Sequence, residues 1–502
     1  MKRAQQQQPQ LESPTAKRRI AAVDAVRKSL KLCARCETVI ARASAALVPA
    51  KGGTGHQVAL VNESQETLQT STCKFCNLLA SIKKKSLDRE RCSLYAFSAN
   101  DVYARVPTRL LEQSRIEDTI LFGILPSLGS RTKVKPSDYV GAVSRERKPD
   151  ICIGPRKIQP GTFDLAIVKS WLAFCEARHK TLCLPPARQP PMMRVIDVDT
   201  EDDMTAPDPC HYVALSYVWG KQAAAENKLK FTQVVIDSLA LCKLLGYKYL
   251  WVDEICINQD DADIKRIQIG AMDLVYGNAQ LTIIAAEGDS AHGLPGLGSR
   301  RRVEQDSLCI GDTTFIRTFP HAAETARNGK WATRGWTFQE GLLSNRRLVF
   351  TNQQVAFQCN GMHCLESVHW PFELMHSKSQ RRFSQRVPNP IFENSIGRDY
   401  SFETMRSYFN LLRHIGEYSG RDLSYQSDRL NAFLGVLADW GRRDPPIHHV
   451  WGVPVILGNL DILSLVQRTQ VSVNIMLADW FHDRPCSRRP EFPSWSWAGW
   501  SG

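Results

Sequence analysis

The chain has 502 residues, 43% hydrophobic and 23% charged, which suits two to three domains and excludes wholesale disorder. Its formal charge of +13 invites a nucleic-acid or anionic-membrane partner. Yet the basic clusters Lys17-Arg18-Arg19, Lys83-Lys84-Lys85, Arg300-Arg301-Arg302 and Arg381-Arg382 are short and scattered, without interleaved aromatics or a nucleic-acid-binding signature, so they read as solvated surface charge. Nucleic acid is therefore not the expected partner, although charge alone also admits a DNA-associated protein. The 15 cysteines are too dilute for a small disulfide scaffold, and in a reducing compartment they are free thiols or metal ligands.

The N-terminus opens on Met1-Lys2-Arg3 and Gln5 to Gln8, with no apolar run behind it. No stretch reaches the ~18–20 apolar residues of a membrane helix. The longest candidates, Thr119 to Leu128 and Leu281 to Ala286, are core-sized. A cytoplasmic protein is expected. The Lys17 to Arg19 cluster also fits a nuclear-localisation pattern.

In chain order, residues 1–28 read as a disordered tail, rich in Gln, Ser and Lys. Residues 29–190 form a Cys-rich α/β region. It carries Cys33-x-x-Cys36 and Cys73-x-x-Cys76 on either side of a loop with Gly52, Gly53 and Gly55. Two such pairs supply the four thiolates of a tetrahedral structural zinc. The alternative is that these thiols are small apolar core residues. No strand–CxxC–helix context supports a redox pair. Arg131 to Pro149 is charged and patternless, and reads as a loop. Thr162 to Cys183 reads as one helix, with Trp171, Cys175, His179 and Cys183 every four residues along a face, so Cys175, His179 and Cys183 could instead supply metal ligands from one helix face. Pro185 to Pro191 ends it.

Residues 191–360 are the most regular. Tyr212 to Tyr217, Tyr249 to Val252 and Leu281 to Ala285 are apolar strands. Between them lie the stripes Val235, Leu239, Cys242, Leu245 (closed by Gly246) and Ile264, Ile267, Ala271, Leu274, Val275. The second stripe starts near Asp260 and Asp261 and ends at Gly277-Asn278, as helix caps require. Strand–helix alternation implies a parallel sheet. Arg347 to Thr351 and Val355 to Cys359 read as a hairpin. Residues 361–502 form a mostly helical, Trp-rich extension. There are no internal repeats, no phosphate-binding Gly-rich loop after a strand, and no Ser nucleophile elbow.

Three blocks stand out: Tyr212-Val-Ala-Leu-Ser-Tyr-Val-Trp-Gly220; Leu250-Trp-Val-Asp-Glu-Ile-Cys-Ile-Asn-Gln-Asp-Asp261, with Met272, Tyr276 and Ala279; and Arg334-Gly-Trp-Thr-Phe-Gln-Glu340, with Leu342-Leu343-Ser344. In order, spacing and wording they resemble the signature blocks of the fungal heterokaryon-incompatibility (HET) domain. The cysteine pairs upstream, Ser427 to Leu430 and Pro493 to Trp500 downstream resemble that family's flanks. Such chains often continue past the Trp500 region, so this one reads as a short member or a shortened chain. The resemblance implies an effector that triggers growth arrest or death when genetically different fungal cells fuse. It implies a core distantly similar to the Toll/interleukin-receptor (TIR) domain, a flavodoxin-like parallel sheet, and partners among its own copies or other HET and signalling proteins.

Ligands of parallel α/β sheets bind beyond the strands' carboxyl ends. Ser216, Tyr217, Trp219 and Gly220 follow the first strand; Asp253, Glu254, Asn258 and Gln259 follow the second; Arg334, Trp336 and Glu340 belong to the third block. Some TIR domains cleave NAD, and there the catalytic Glu often follows a Trp with three residues between. Trp336 and Glu340 share that spacing. Glu340 is then the first choice for stabilising an oxocarbenium-like transition state and Asp253 the second, with Trp219 or Trp336 stacking on a ring. The competing reading makes these residues ion pairs, loop holders and core aromatics serving fold and assembly.

Overall fold

Tyr212–Ser216 and Leu281–Ala285 are five-residue strands with every side chain buried, as strands covered on both faces must be. They pair in parallel with each other at the centre of an eight-stranded sheet in the computed structural model. The structure describes residues 31–44, 55–127, 138–144, 152–185, 188–220, 230–376, 404–444, 446–456 and 485–501. The expected tail at 1–28, Gly52, Gly53 and the clusters at Lys17 and Arg381 lie outside them.

Two compact units emerge. The first comprises residues 1–157, 305–320 and 367–375, and the second the remainder. The first holds a six-stranded antiparallel sheet in the spatial order His56–Leu60, Cys92–Ser98, Ile120–Pro126, Val140–Ser144, Thr313–Arg317, Ser307–Ile310. The expected loop at Arg131 to Pro149 is thus corrected. Its apolar centre pairs on both sides, with Leu121–Phe122 and with Thr313–Arg317, while charged flanks mask it in the sequence. Lys83 is also corrected: it is 1% exposed, its ammonium donating to the Glu63 carbonyl and pairing with Asp88 at 3.6 Å.

In the second unit the sheet strands are β1 (Arg194–Asp197), β2 (Asp203–Thr205), β3 (Tyr212–Ser216), β4 (Tyr249–Trp251), β5 (Leu281–Ala285), β6 (Arg346–Phe350), β7 (Val355–Cys359) and β8 (His363–Leu365). The spatial order is β8-β7-β6-β5-β3-β4-β1-β2. β4, β3, β5 and β6 run parallel, and antiparallel strands finish both edges. The expected hairpin is therefore present, and its first strand is also the fourth parallel strand.

The helices are α1 (Leu165–Arg178), α2 (Gln233–Leu245), α3 (Ala262–Gly270), α4 (Met272–Asn278), α5 (Trp336–Leu343), α6 (Thr404–Ser419) and α7 (Asn431–Gly441). α1 is shorter than expected: it closes on His179, and Cys183 lies in the following turn. α2 ends at Gly246, whose φ of +85° supplies the left-handed cap where nothing crowds a Cβ. The single helix expected over Ile264 to Val275 breaks at Ala271, after the weak helix former Gly270, and α4 is buried along most of its length. Asp261 caps α3 as expected, accepting from the Asp263 and Ile264 amides at 2.9 and 3.0 Å. Asp261→Ala is expected to cost ~1 kcal/mol, read as a lower urea midpoint with unchanged slope.

The C-terminal part is not only helical. α6 and α7 bury Tyr408, Leu411, Tyr418, Phe433 and Trp440 against Phe338 of α5. Ile447–Val450 and Val453–Ile456 then form a hairpin whose turn residues, Trp451 and Gly452, have φ of 50° and 88°. Positive φ at both suits the right-handed twist of the strands. Among the described residues no helix is long and apolar enough to cross a membrane.

Candidate functional site

β3, β4 and β5 deliver their carboxyl ends to one end of the sheet, where the strand order reverses between β3 and β5. That is where an open α/β sheet leaves a crevice. Ser216 closes β3. Its hydroxyl donates to Glu340 Oε2 at 2.5 Å and accepts from Trp331 Nε1 at 2.8 Å. Tyr276 on α4 hydrogen-bonds Glu340 and also donates to the Leu215 carbonyl at 3.2 Å. Glu340 is 4% exposed and held between the Ser216 and Tyr276 hydroxyls. Its environment pushes its carboxyl up to about 8, through burial first and the Asp253 charge second.

Asp253 opens a short helix after β4 and keeps partial solvent access. It accepts from Trp219 Nε1 at 2.9 Å and from the Glu254 amide at 2.8 Å. Burial raises it to about 6 against those bonds. Its partly open face leaves it better hydrated than Glu340. Tyr217 is buried and donates to Glu254 Oε2 at 2.8 Å; burial and the surrounding carboxylates hold its hydroxyl far above its usual range. Trp219 is 44% exposed, the one aromatic of this group offered to solvent. Gly220 donates its amide to Ser290 Oγ at 3.1 Å, and a Cβ there would stand 2.6 Å from that oxygen.

The structure thus brings together Ser216, Tyr217, Trp219, Asp253 and Glu340. It gives the others local roles. Asn258 Oδ1 accepts from the Asp260 and Asp261 amides, both at 2.9 Å, shaping the turn into α3. Gln259 bonds the Ile257 carbonyl and Lys265. Arg334 forms a backbone bridge with Asp422, while its charge lowers both raised carboxyls. Trp336 packs on the α6–α7 cluster. Sequence reasoning missed Trp331, which no motif marks; Tyr276 was visible only as part of the second block. An open cleft of about 600 Å³ lies beyond β5 and β6, lined by Glu287, Asn328, Lys330, Asn352 and others, but neither raised carboxyl lines it.

Residues 212–340 match the family described as heterokaryon incompatibility protein (HET). The chain carries a HET domain. The match begins at the first residue of β3 and ends at Glu340, so the family segment holds three of the four parallel strands, β3, β4 and β5, and the buried carboxylate. Over 102 residues the chain is 31% identical to "Heterokaryon incompatibility protein 6, OR allele" of Neurospora crassa. That similarity covers 16% of this chain and 15% of the relative's length. No solved structure matches the chain.

Outside the HET domain, Cys33, Cys36, Cys73 and Cys76 bring their sulfurs within 4.8 Å of one another. Cys76 Sγ lies 3.7 Å from Cys33 Sγ and 3.5 Å from Cys36 Sγ. The edges of a zinc–thiolate tetrahedron are ~3.8 Å, given Zn–S of ~2.3 Å, so this donor set fits the ion. Each pair opens a helix, Cys33 and Cys73 just before it and Cys36 and Cys76 in its first turn, and each CxxC spacing folds its two thiols toward the same point.

Proposed function

We propose that the chain is an effector of fungal non-self recognition and programmed cell death, acting in the cytoplasm by assembly with copies of itself or other HET proteins. The HET match over residues 212–340 carries this reading, and the name of the Neurospora relative supports it. The order of the four parallel strands, second-first-third-fourth, follows the flavodoxin-like 2-1-3-4 pattern as far as it goes and supports a TIR-like core. Assembly is supported by exposed apolar residues at the hairpin tip, Val450 and Trp451, and in the later segment, Trp495, which are 53%, 48% and 41% exposed. Ser496 Oγ donates to the Trp451 carbonyl at 2.6 Å, which keeps these aromatics in one region. Clustered exposed apolar surface marks interaction sites. Expressed in a fungal host, the full chain should arrest growth. Trp451→Asp should abolish both arrest and concentration-dependent association in light scattering. Arrest by a Trp451→Asp chain that stays monomeric would remove the assembly reading.

A second reading is NAD cleavage, favoured by two raised carboxyls where the strand order reverses: burial and then the Asp253 charge raise Glu340, and burial raises Asp253. Here the ribose–nicotinamide bond breaks, nicotinamide leaves with the bonding pair, and a carboxylate stabilises the oxocarbenium ion until water adds at that carbon. Asp253 has the partly open face for this and accepts from the exposed Trp219 ring; Glu340, buried and holding its proton at neutral pH, would act by fixing Ser216 at the end of the first parallel strand. The Cys33, Cys36, Cys73, Cys76 cluster is read as a structural zinc site that fixes its two helices.

A further inference from the structure

Cys175, Cys183 and Cys359 are all buried, with their sulfurs within 4.8 Å of one another. Cys175 lies on α1, Cys183 in the turn after it, and Cys359 at the end of β7. His179 caps α1 between the first two, is 1% exposed, and places Nδ1 3.4 Å from Cys359 Sγ. We infer that these four residues form a closed Cys3His zinc site within the HET-containing unit, separate from the N-terminal cysteine cluster.

Three observations distinguish this group from apolar filler. The first is ligand type and spacing. Zinc–ligand bonds of ~2.0–2.3 Å place neighbouring donors ~3.5–3.8 Å apart, close to the Cys359–His179 separation; the mutual 4.8 Å limit holds for the three sulfurs and not for the imidazole, so thiols and imidazole would both draw in around the ion. The second is the outer shell. The far nitrogen of His179, Nε2, lies 2.8 Å from His376 Nε2, so a proton held between them leaves Nδ1 free to coordinate. The third is charge. Zinc with three thiolates carries a net negative charge, and polar donors already face the sulfurs: Arg346 Nε is 3.3 Å from Cys175 Sγ, and the Gly361 amide is 3.3 Å from Cys359 Sγ. A core that used cysteine only as a small hydrophobe would need neither a guanidinium nor an imidazole there. Gly361 is required by the same packing, since a Cβ would stand 2.4 Å from the His179 ring.

The site would clip α1 and its following turn to the β6–β7 hairpin. Hydrogen bonds already join these parts: Asn360 Nδ2 donates to the Leu182 carbonyl at 2.9 Å and to Asn345 Oδ1 at 2.8 Å. β6 starts directly after the third HET block, so the metal would hold in register the strand on which α5 and Glu340 depend.

The test is metal content and cobalt spectroscopy of the full chain. In the Cys33→Ser/Cys76→Ser variant, elemental analysis should find one zinc per chain. Adding Cys183→Ser/Cys359→Ser should remove it. If either variant fails to fold, the cobalt-loaded parent decides: its thiolate-to-cobalt charge-transfer intensity should correspond to seven bound thiolates, four from the first cluster and three from this one, with the intense visible bands of tetrahedral cobalt. An intensity of four, a folded Cys33→Ser/Cys76→Ser chain without metal, or a disulfide among Cys175, Cys183 and Cys359 would each overturn the inference.

Discussion

Glu340→Gln is expected to flatten a decline in stability that the parent chain shows as pH rises from about 4.5 to about 8. The sign follows from proton binding. Folding raises the Glu340 carboxyl from 4.5 to about 8, so between these values the native state holds a proton that the unfolded chain has released. Stability from this group is fully present below about 4.5 and is lost as pH rises through about 8. A tenfold change in proton affinity is worth ~1.4 kcal/mol, so the fall should be on the order of 3 kcal/mol once the surroundings relax. Glutamine keeps the shape, accepts from Ser216 and carries no titrating proton. Glu340→Ala is different: it leaves the Ser216 hydroxyl proton without its buried acceptor and opens a cavity, and should lose ~2–4 kcal/mol at every pH. Urea titrations at pH 5, 6.5 and 8 separate the two. A Gln variant that retained the parent's slope would assign the pH dependence to another group, Asp253 first. The same variant divides the functional readings. If it folds and still arrests growth, assembly stands; if it folds and neither arrests growth nor consumes NAD while the parent does both, the site is chemical.

Arg302→Met should be the most damaging single change in the HET-containing unit away from the apolar core, at ~3–5 kcal/mol. The Arg302 side chain is fully buried, and that of Glu366 is 4% exposed. Their charges pair directly, and Arg302 also donates to the Gln159 and Thr162 carbonyls. Glu366 in turn accepts from the Asp164 amide at 3.2 Å and the Val355 amide at 3.0 Å. Methionine fills most of the space but strands a carboxylate in the interior. The double change Arg302→Met/Glu366→Gln should recover much of the loss, because the stranded charge disappears. A single variant within ~1 kcal/mol of the parent in urea midpoint would show that the pair is not desolvated.

Arg302 also shows where sequence reading reached its end. In the sequence it is the last of three arginines and reads as solvated surface charge, like Lys83 among three lysines. Both are buried because a carboxylate or carbonyl distant in the chain meets them, and nothing local announces that partner. The parallel core was legible for the opposite reason. β3 and β5 are short apolar runs separated by helical stripes, so periodicity alone exposes them, and Gly246 and Asp261 mark helix ends through their own backbone chemistry. The break at Ala271 was hidden, since the apolar stripe runs straight through it and only the burial of α4 requires the turn.

The site divides the same way. The sequence by itself marked the three blocks that meet at the candidate site, because Ser216, Asp253 and Glu340 stand in or beside recognisable motifs at strand ends and on the helix of the third block. It also paired Cys33 with Cys36 and Cys73 with Cys76, since CxxC spacing acts within one turn of chain. Tertiary structure alone decided that Glu340 is buried under Ser216 and Trp331 while Asp253 keeps an open face. It alone brought Cys359 across 176 residues to Cys183 and turned His179 toward it. It also returned residues 307–317 to the first unit's sheet. Local spacing fixes what a residue can do; burial and distant partners fix which of those things it does, and these arise only when separate segments exclude water together.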